Sequence, residues 1–168
     1  LRWDEAQPGH VLWDRERLPW DCELADVQIT SEDSAWAVGH LSEGPESARS
    51  LILRFDGRGW KSVSHAPSGA VTALRMWSND SGWAATFDPS VSQTHLLKWD
   101  GESWTSYPVP GAVVPILAIS GVAEDDVWAV GGSRVHSSFL DGAASQLIMH
   151  FDGVAWSVER FEKLHENE

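Results

Sequence analysis

The side chains in this chain best able to do chemistry are seven histidines, twenty-five carboxylates and one cysteine. His10, His40, His65, His95, His136, His150 and His165 include no pair at a close ligand spacing such as H-x-x-x-H, so structural or exposed roles are expected and no metal centre. Three acidic turns, Ser31-Glu32-Asp33-Ser34, Ser78-Asn79-Asp80-Ser81 and Glu124-Asp125-Asp126, cluster oxygens in a way that Ca²⁺ can use. None has the ligand count of a dedicated loop, and they read as solvated turns capped by Asp and Ser side chains. Cys22 is alone, which excludes an intrachain disulfide, and nothing around it resembles a nucleophile with an activating base. No Gly-x-Ser-x-Gly, phosphate loop or zinc signature accompanies the carboxylates, so neither catalytic residues nor a cofactor are expected.

Two further sets could meet a ligand. Arg2, Arg54, Lys98 and His150 each precede the aromatic residue of an aromatic-Asp pair. Such a basic column would suit an anion, but packing of each cation on a neighbouring tryptophan, or pairing with a carboxylate, is the simpler reading. The second set occupies variable segments between repeated ones: His40, Glu43, Glu46 and Arg49, then Phe87, Asp88 and Tyr107, then Arg134, His136, Phe139 and Asp141. Loops on a rigid repeat commonly carry recognition, and Arg134, Phe139 and Tyr107 are of types enriched at interfaces. Ordinary surface loops are the competing reading.

The elements that must position these residues are legible as a repeat. Ser34-Ala35-Trp36-Ala37-Val38-Gly39, Ser81-Gly82-Trp83-Ala84-Ala85-Thr86 and Asp126-Val127-Trp128-Ala129-Val130-Gly131 are three copies of one segment. Each is followed by an aromatic-Asp-Gly-x-x-Trp segment, running Phe55 to Trp60, Trp99 to Trp104 and Phe151 to Trp156. Trp36, Trp83 and Trp128 are 47 and 45 residues apart, and Trp60, Trp104 and Trp156 are 44 and 52 apart. A period of that size marks a blade or a solenoid unit. Short Val/Ile/Leu/Trp runs between Gly, Asp, Ser and Pro clusters favour strands, so each unit predicts a four-stranded antiparallel sheet.

In order, the first copy predicts strands at 27–30, 35–39, 51–55 and 60–64. The second predicts them at 71–77, 82–87, 95–99 and 104–107, and the third at 116–120, 126–131, 146–151 and 156–160. Leu1-Arg2-Trp3-Asp4 matches Leu53-Arg54-Phe55-Asp56 and Leu97-Lys98-Trp99-Asp100, with Trp13 standing for Trp60 and Trp104. Residues 1–20 therefore read as the outer hairpin of a preceding blade, followed by blades at 21–65, 66–110 and 111–162 and a charged tail at 163–168. About three and a half blades fall below the four to eight of a closed ring, so further chain or a second chain, for instance a two-fold homodimer, is expected to complete it.

Composition narrows the partners. Nine of the eleven tryptophans fall in register with the repeat, which assigns them to architecture. A net charge of −13 lacks the clustered Lys and Arg that a nucleic-acid backbone or an anionic membrane requires. No apolar run approaches the roughly 18 to 20 residues that span a bilayer. The start at Leu1-Arg2-Trp3 carries neither an initiator Met nor a signal-peptide core, as in an excised or processed domain, and the compartment stays open.

Asp-Asp-Val-Trp-Ala-Val-Gly at 125–131, followed by the hydrophobic-basic-Phe-Asp-Gly-x-x-Trp run at 149–156, resembles a bacterial Trp-rich β-propeller repeat of the form DVWAVG … ILHWDGxxW. It is similar, more loosely, to the Asp-box hairpin of sialidase-like propellers. Ala85-Thr86 and the missing Gly after Asp4 depart from the pattern. The resemblance implies an all-β propeller fold, which hosts many functions. The expected function is a non-enzymatic module for protein recognition or scaffolding. A carbohydrate-binding propeller is the alternative, and a sialidase-type glycosidase the remote third, since an arginine cluster on the central strands is missing.

Overall fold

The computed structural model describes residues 21–42, 48–63, 69–107, 109, 114–132 and 146–159. Among them there are no helices and twelve strands: β1 (Cys22–Ser31), β2 (Ser34–Ser42), β3 (Ala48–Phe55), β4 (Trp60–Ser62), β5 (Ala70–Met76), β6 (Gly82–Asp88), β7 (Gln93–Trp99), β8 (Trp104–Tyr107), β9 (Ile116–Ala123), β10 (Asp126–Gly132), β11 (Gln146–Phe151) and β12 (Trp156–Val158). They form three four-stranded sheets in chain order, β1 to β4, β5 to β8 and β9 to β12, with every pairing antiparallel. One sheet per sequence repeat is what the spacing of the tryptophans predicts.

Several strands outrun their expected ends. β1 begins at Cys22 rather than at Val27, because Cys22 to Leu24 pair with Leu41 to Gly39. β9 continues through Gly121 to Ala123, past its expected end at Ser120. Its sharp turn is left to Glu124 and Asp125. The irregular Ala85-Thr86 does not interrupt β6, which pairs along its length with both β5 and β7. Both residues are buried, and the small Ala85 side chain belongs to the core between the second and third sheets.

Each first strand carries a bulge at one repeat position, between Leu24 and Asp26, between Val71 and Ala73, and beside Val130 and Gly131, where Ile116 and Ala118 are the partners. A bulge adds local twist and re-aims the side chains beyond it. Its recurrence gives all three sheets the same bend at their first strand.

The sheets stack face to face in a fixed sense. Alternate residues of a strand point to opposite faces, so every sheet has two apolar faces. Trp36, Val38 and Ile52 of the first sheet pack against Leu74, Met76, Ala84, Leu97, Trp99 and Trp104 of the second. From the opposite face of the second, Ala73, Trp83, Ala85 and Leu96 pack against Ile116, Ile119, Val127, Ala129, Met149, Phe151 and Trp156 of the third. A smaller cluster of Ala37, Leu51 and Leu53, with Cys22, Leu41 and Trp60 against it, lies on the remaining face of the first sheet. Burial of these apolar side chains, at roughly 1.5–3 kcal/mol each, is the main force holding sheet to sheet.

Candidate functional site

The aromatic-Asp-Gly-x-x-Trp segment is a hairpin with a defined job for each position. Its two aromatics are cross-strand partners: Phe55 with Trp60, Trp99 with Trp104 and Phe151 with Trp156, their ring centroids 5.5, 5.2 and 5.5 Å apart. The Asp carboxylate accepts two backbone N–H bonds across the turn. Asp56 Oδ1 takes them from Arg58 (3.1 Å) and Gly59 (3.2 Å), Asp100 Oδ1 from Glu102 (2.9 Å) and Ser103 (2.8 Å), and Asp152 Oδ1 from Val154 and Ala155 (both 2.9 Å). The glycine holds φ at +84°, +99° and +92° at Gly57, Gly101 and Gly153, a region that L side chains rarely adopt.

These bonds favour the ionised acids. The Lys61 ammonium, reinforced by the Arg58 amide, holds the Asp56 carboxyl down to about 2. The Ser103 and Glu102 amides lower Asp100, and those of Ala155 and Val154 lower Asp152. All three carboxylates are already engaged in their own turns, which makes them architectural groups and not spare ligands.

The described members of the basic column are used in the same way. Arg54, Lys98 and His150 are the cross-strand partners of Trp36, Trp83 and Trp128. The Arg54 guanidinium lies 5.3 Å from the Trp36 ring centroid, and Lys98 Nζ lies 5.8 Å from both the Trp83 and Phe151 centroids. His150 stacks on Trp128 at 4.3 Å and 20°, with its Nε2 2.8 Å from Asp126 Oδ1. The packing expected of this column therefore holds for these three residues; Arg2 lies outside the described residues.

Of the candidate loop residues, Glu43, Glu46, Arg134, His136, Phe139 and Asp141 lie outside the described residues. The others share one end of the first two sheets or sit between sheets. His40 is on β2 beside the end of β3 that carries Arg49, with His40 Nε2 4.0 Å from a Glu23 carboxylate oxygen. Phe87 and Asp88 end β6, and Asp88 Oδ1 accepts from Ser90 N (3.0 Å) and Ser90 Oγ (2.6 Å). Ser50 Oγ donates to Gly69 O at 2.6 Å, tying these ends of the first and second sheets together. Tyr107 packs edge-on against Trp83 (4.9 Å) and Phe151 (5.7 Å), between the second and third sheets. Among the described residues no group of three or more His, Cys, Asp or Glu converges in a metal-binding arrangement.

The acidic turns have a role that their composition did not reveal. Asn79 Oδ1 accepts from Thr30 Oγ1 and Ser34 Oγ of the preceding sheet, both at 2.6 Å, and Glu124 accepts from Ser81 Oγ. Asn79 and Glu124 hold the same repeat position, as do Ser34 and Ser81. Turn to turn, each sheet is latched to the next. A side chain two residues before an invariantly spaced Ser or Asp was the available signal, but the partner is some 45 residues away and the sequence gives no contact.

The most prominent surface is the one that the tryptophan pattern hid. Trp36 sits edge-on to Trp99 and Trp104 (5.5 and 6.3 Å), and Trp83 sits edge-on to Phe151 and Trp156 (4.8 and 5.2 Å). Each β2-type tryptophan thus enters the aromatic pair of the following hairpin. That hairpin belongs to the next sheet in each case, and among the described residues no sheet follows that of Trp128. Trp128 is 43% exposed, against 0% for both Trp36 and Trp83, and Val130 and Leu117 are exposed on the same sheet. No family model matches the chain, and no curated protein matches its sequence.

Proposed function

We propose that the three sheets are consecutive blades of a β-propeller, an arc whose ring is completed by further chain or by a partner chain, and that the protein is a non-enzymatic module that recognises protein. The single observation that carries this is the solvent exposure of Trp128 at a position whose equivalents are wholly buried. An apolar sheet face with an open tryptophan favours association, because covering it removes large apolar area from water. The front-to-back stacking repeated at two junctions supports the propeller, and so does the resemblance to Trp-rich propeller repeats. The loop ends bearing His40, Arg49, Phe87 and Asp88, at one end of the first two sheets, would be a second contact surface.

Carbohydrate binding is the second reading, and the same residue favours it, since Trp128 is a part-exposed ring with His150 stacked on it and Asp126 bonded to that imidazole. Tryptophan emission separates the two. Titration with mono- and disaccharides is expected to leave it unchanged, while a photo-crosslinker at Leu117 gives adducts with protein. A saturable sugar-dependent shift that Trp128→Phe abolishes, without protein adducts, would move the function to carbohydrate.

A further inference from the structure

Resting on the propeller reading above, we infer that the open face of the third sheet takes a blade-like sheet of a different polypeptide, whose first turn carries a hydrogen-bond donor, lysine or arginine, where the turns of this chain carry acceptors. By register, Trp128, Val130 and Ile148 are the counterparts of Trp36, Val38 and Ile52 in the first sheet and of Trp83, Ala85 and Leu96 in the second. Both counterpart sets are buried under the next sheet. Trp128 and Val130 are 43% and 40% exposed and Ile148 is half-buried, so the third sheet presents the same junction face to solvent.

Two side chains set this face apart from its counterparts, and they are bonded to each other. Two residues before the tryptophan, Asp126 stands where the other sheets have Ser34 and Ser81. Across the strand from the tryptophan, His150 stands where they have Arg54 and Lys98. His150 Nε2 is 2.8 Å from Asp126 Oδ1, and the Asp126 side chain is half exposed. At the internal junctions the serine hydroxyl donates to Asn79 Oδ1 or to the Glu124 carboxylate of the next sheet. Asp126 has no hydroxyl to donate and offers a carboxylate instead. A sheet seated on this face takes water from that carboxylate, which costs free energy unless a donor replaces it.

The repeat of this chain does not supply that donor. The latch position, four residues before the tryptophan, is Glu32 in the first sheet, Asn79 in the second and Glu124 in the third. Each brings a side-chain oxygen, and the two glutamates have no N–H to offer, so a further sheet of the same pattern would set oxygen against oxygen at Asp126. A second copy is disfavoured on two more grounds. Its first-sheet face is already covered, with Ala37, Leu51 and Leu53 at 3%, 3% and 1% exposure, and each copy carries a net charge of −13. An apolar face edged by a carboxylate is instead matched to a foreign sheet with a basic turn, because charge complementarity at that one point admits it and repels the chain's own kind.

A tethered fourth sheet tests this. A second copy of residues 69–107, the second sheet with its turns, is appended to the intact chain after Glu168, with Asn79 of the appended copy kept or changed by Asn79→Lys or Asn79→Glu, and oxidation of Trp128 is followed by mass spectrometry. The Asn79→Lys form is expected to slow that oxidation about tenfold or more relative to the Asn79→Glu form. Asp126→Ser should abolish or reverse the order, since the hydroxyl then meets a glutamate as Ser81 meets Glu124. Equal protection by lysine and glutamate, or an order that Asp126→Ser leaves unchanged, overturns the inference about the donor while the docking face stands. Failure of every form to protect Trp128 overturns the face itself and the recognition reading with it. The unextended chain is expected to sediment as a monomer across a concentration series; a dimer that Val130→Lys dissolves would seat a second copy on this face and overturn the inference.

Discussion

At the scale of single residues, the repeated hairpin turns on a carboxylate. Asp56, Asp100 and Asp152 each fold a turn by accepting N–H bonds, and each is held below the ordinary carboxylate value, Asp56 chiefly by the Lys61 ammonium and the other two by those amides. A group whose pKa is depressed on folding stabilises the native state above its unfolded value and loses that contribution as pH falls through the folded value. For Asp56 the window runs from 3.8 down to about 2. Urea midpoints measured from pH 5 to pH 2 are expected to fall with acidification. A variant with Asn at all three positions, which keeps an acceptor and removes the charge, should fall less steeply; equal slopes would count against these turns as the acid-sensitive element. At the same scale, the basic column is matched one to one with cross-strand tryptophans: Arg54 with Trp36, Lys98 with Trp83 and His150 with Trp128.

At the scale of the element, the two halves of each repeat are joined where their turns meet. A Cβ on Gly57, Gly101 or Gly153 would touch the Cβ of Asp33, Asp80 or Asp125 at 3.3, 3.2 and 3.4 Å. The glycine therefore serves both a left-handed backbone and a close approach to the turn between the first two strands. Gly101→Ala is expected to destabilise by about 1–2 kcal/mol, from backbone strain together with this crowding. The shift in urea midpoint at constant slope measures it, and an unchanged midpoint would mean that the hairpin is not built this way. Asp-Gly followed by Trp made these turns legible in the sequence, because turn chemistry is local. The latch between Asn79 and Ser34 was not legible, because it joins residues from different sheets whose approach depends on how those sheets stack.

At the scale of the whole molecule, one residue type does different work at different places in the stack. Trp83 is enclosed by Tyr107, Phe151 and Trp156, and its indole N–H donates to Glu124 O at 3.2 Å. Trp83→Ala should cost about 3–5 kcal/mol, in line with large-to-small changes in a core. Trp128→Ala, measured where the chain is monomeric, should cost under about 1 kcal/mol, since much of that ring already faces water. Thermal or urea unfolding of the two variants gives the comparison directly. Comparable losses would contradict the exposed position of Trp128 and with it the open face.

Sequence alone determined the strand content, the threefold repeat and the hairpin turns, because periodic apolar residues and Asp-Gly act on the backbone within a few positions of themselves. It also placed Trp36, Trp83 and Trp128 at one equivalent position. Packing of the basic column on tryptophans was the simpler reading of the sequence as well. Only the tertiary structure decided that two of these tryptophans are core and the third is surface, and that the acidic turns latch neighbouring sheets. Burial is a property of what lies opposite a residue in space, and identical segments of chain acquire different neighbours according to their place in the stack.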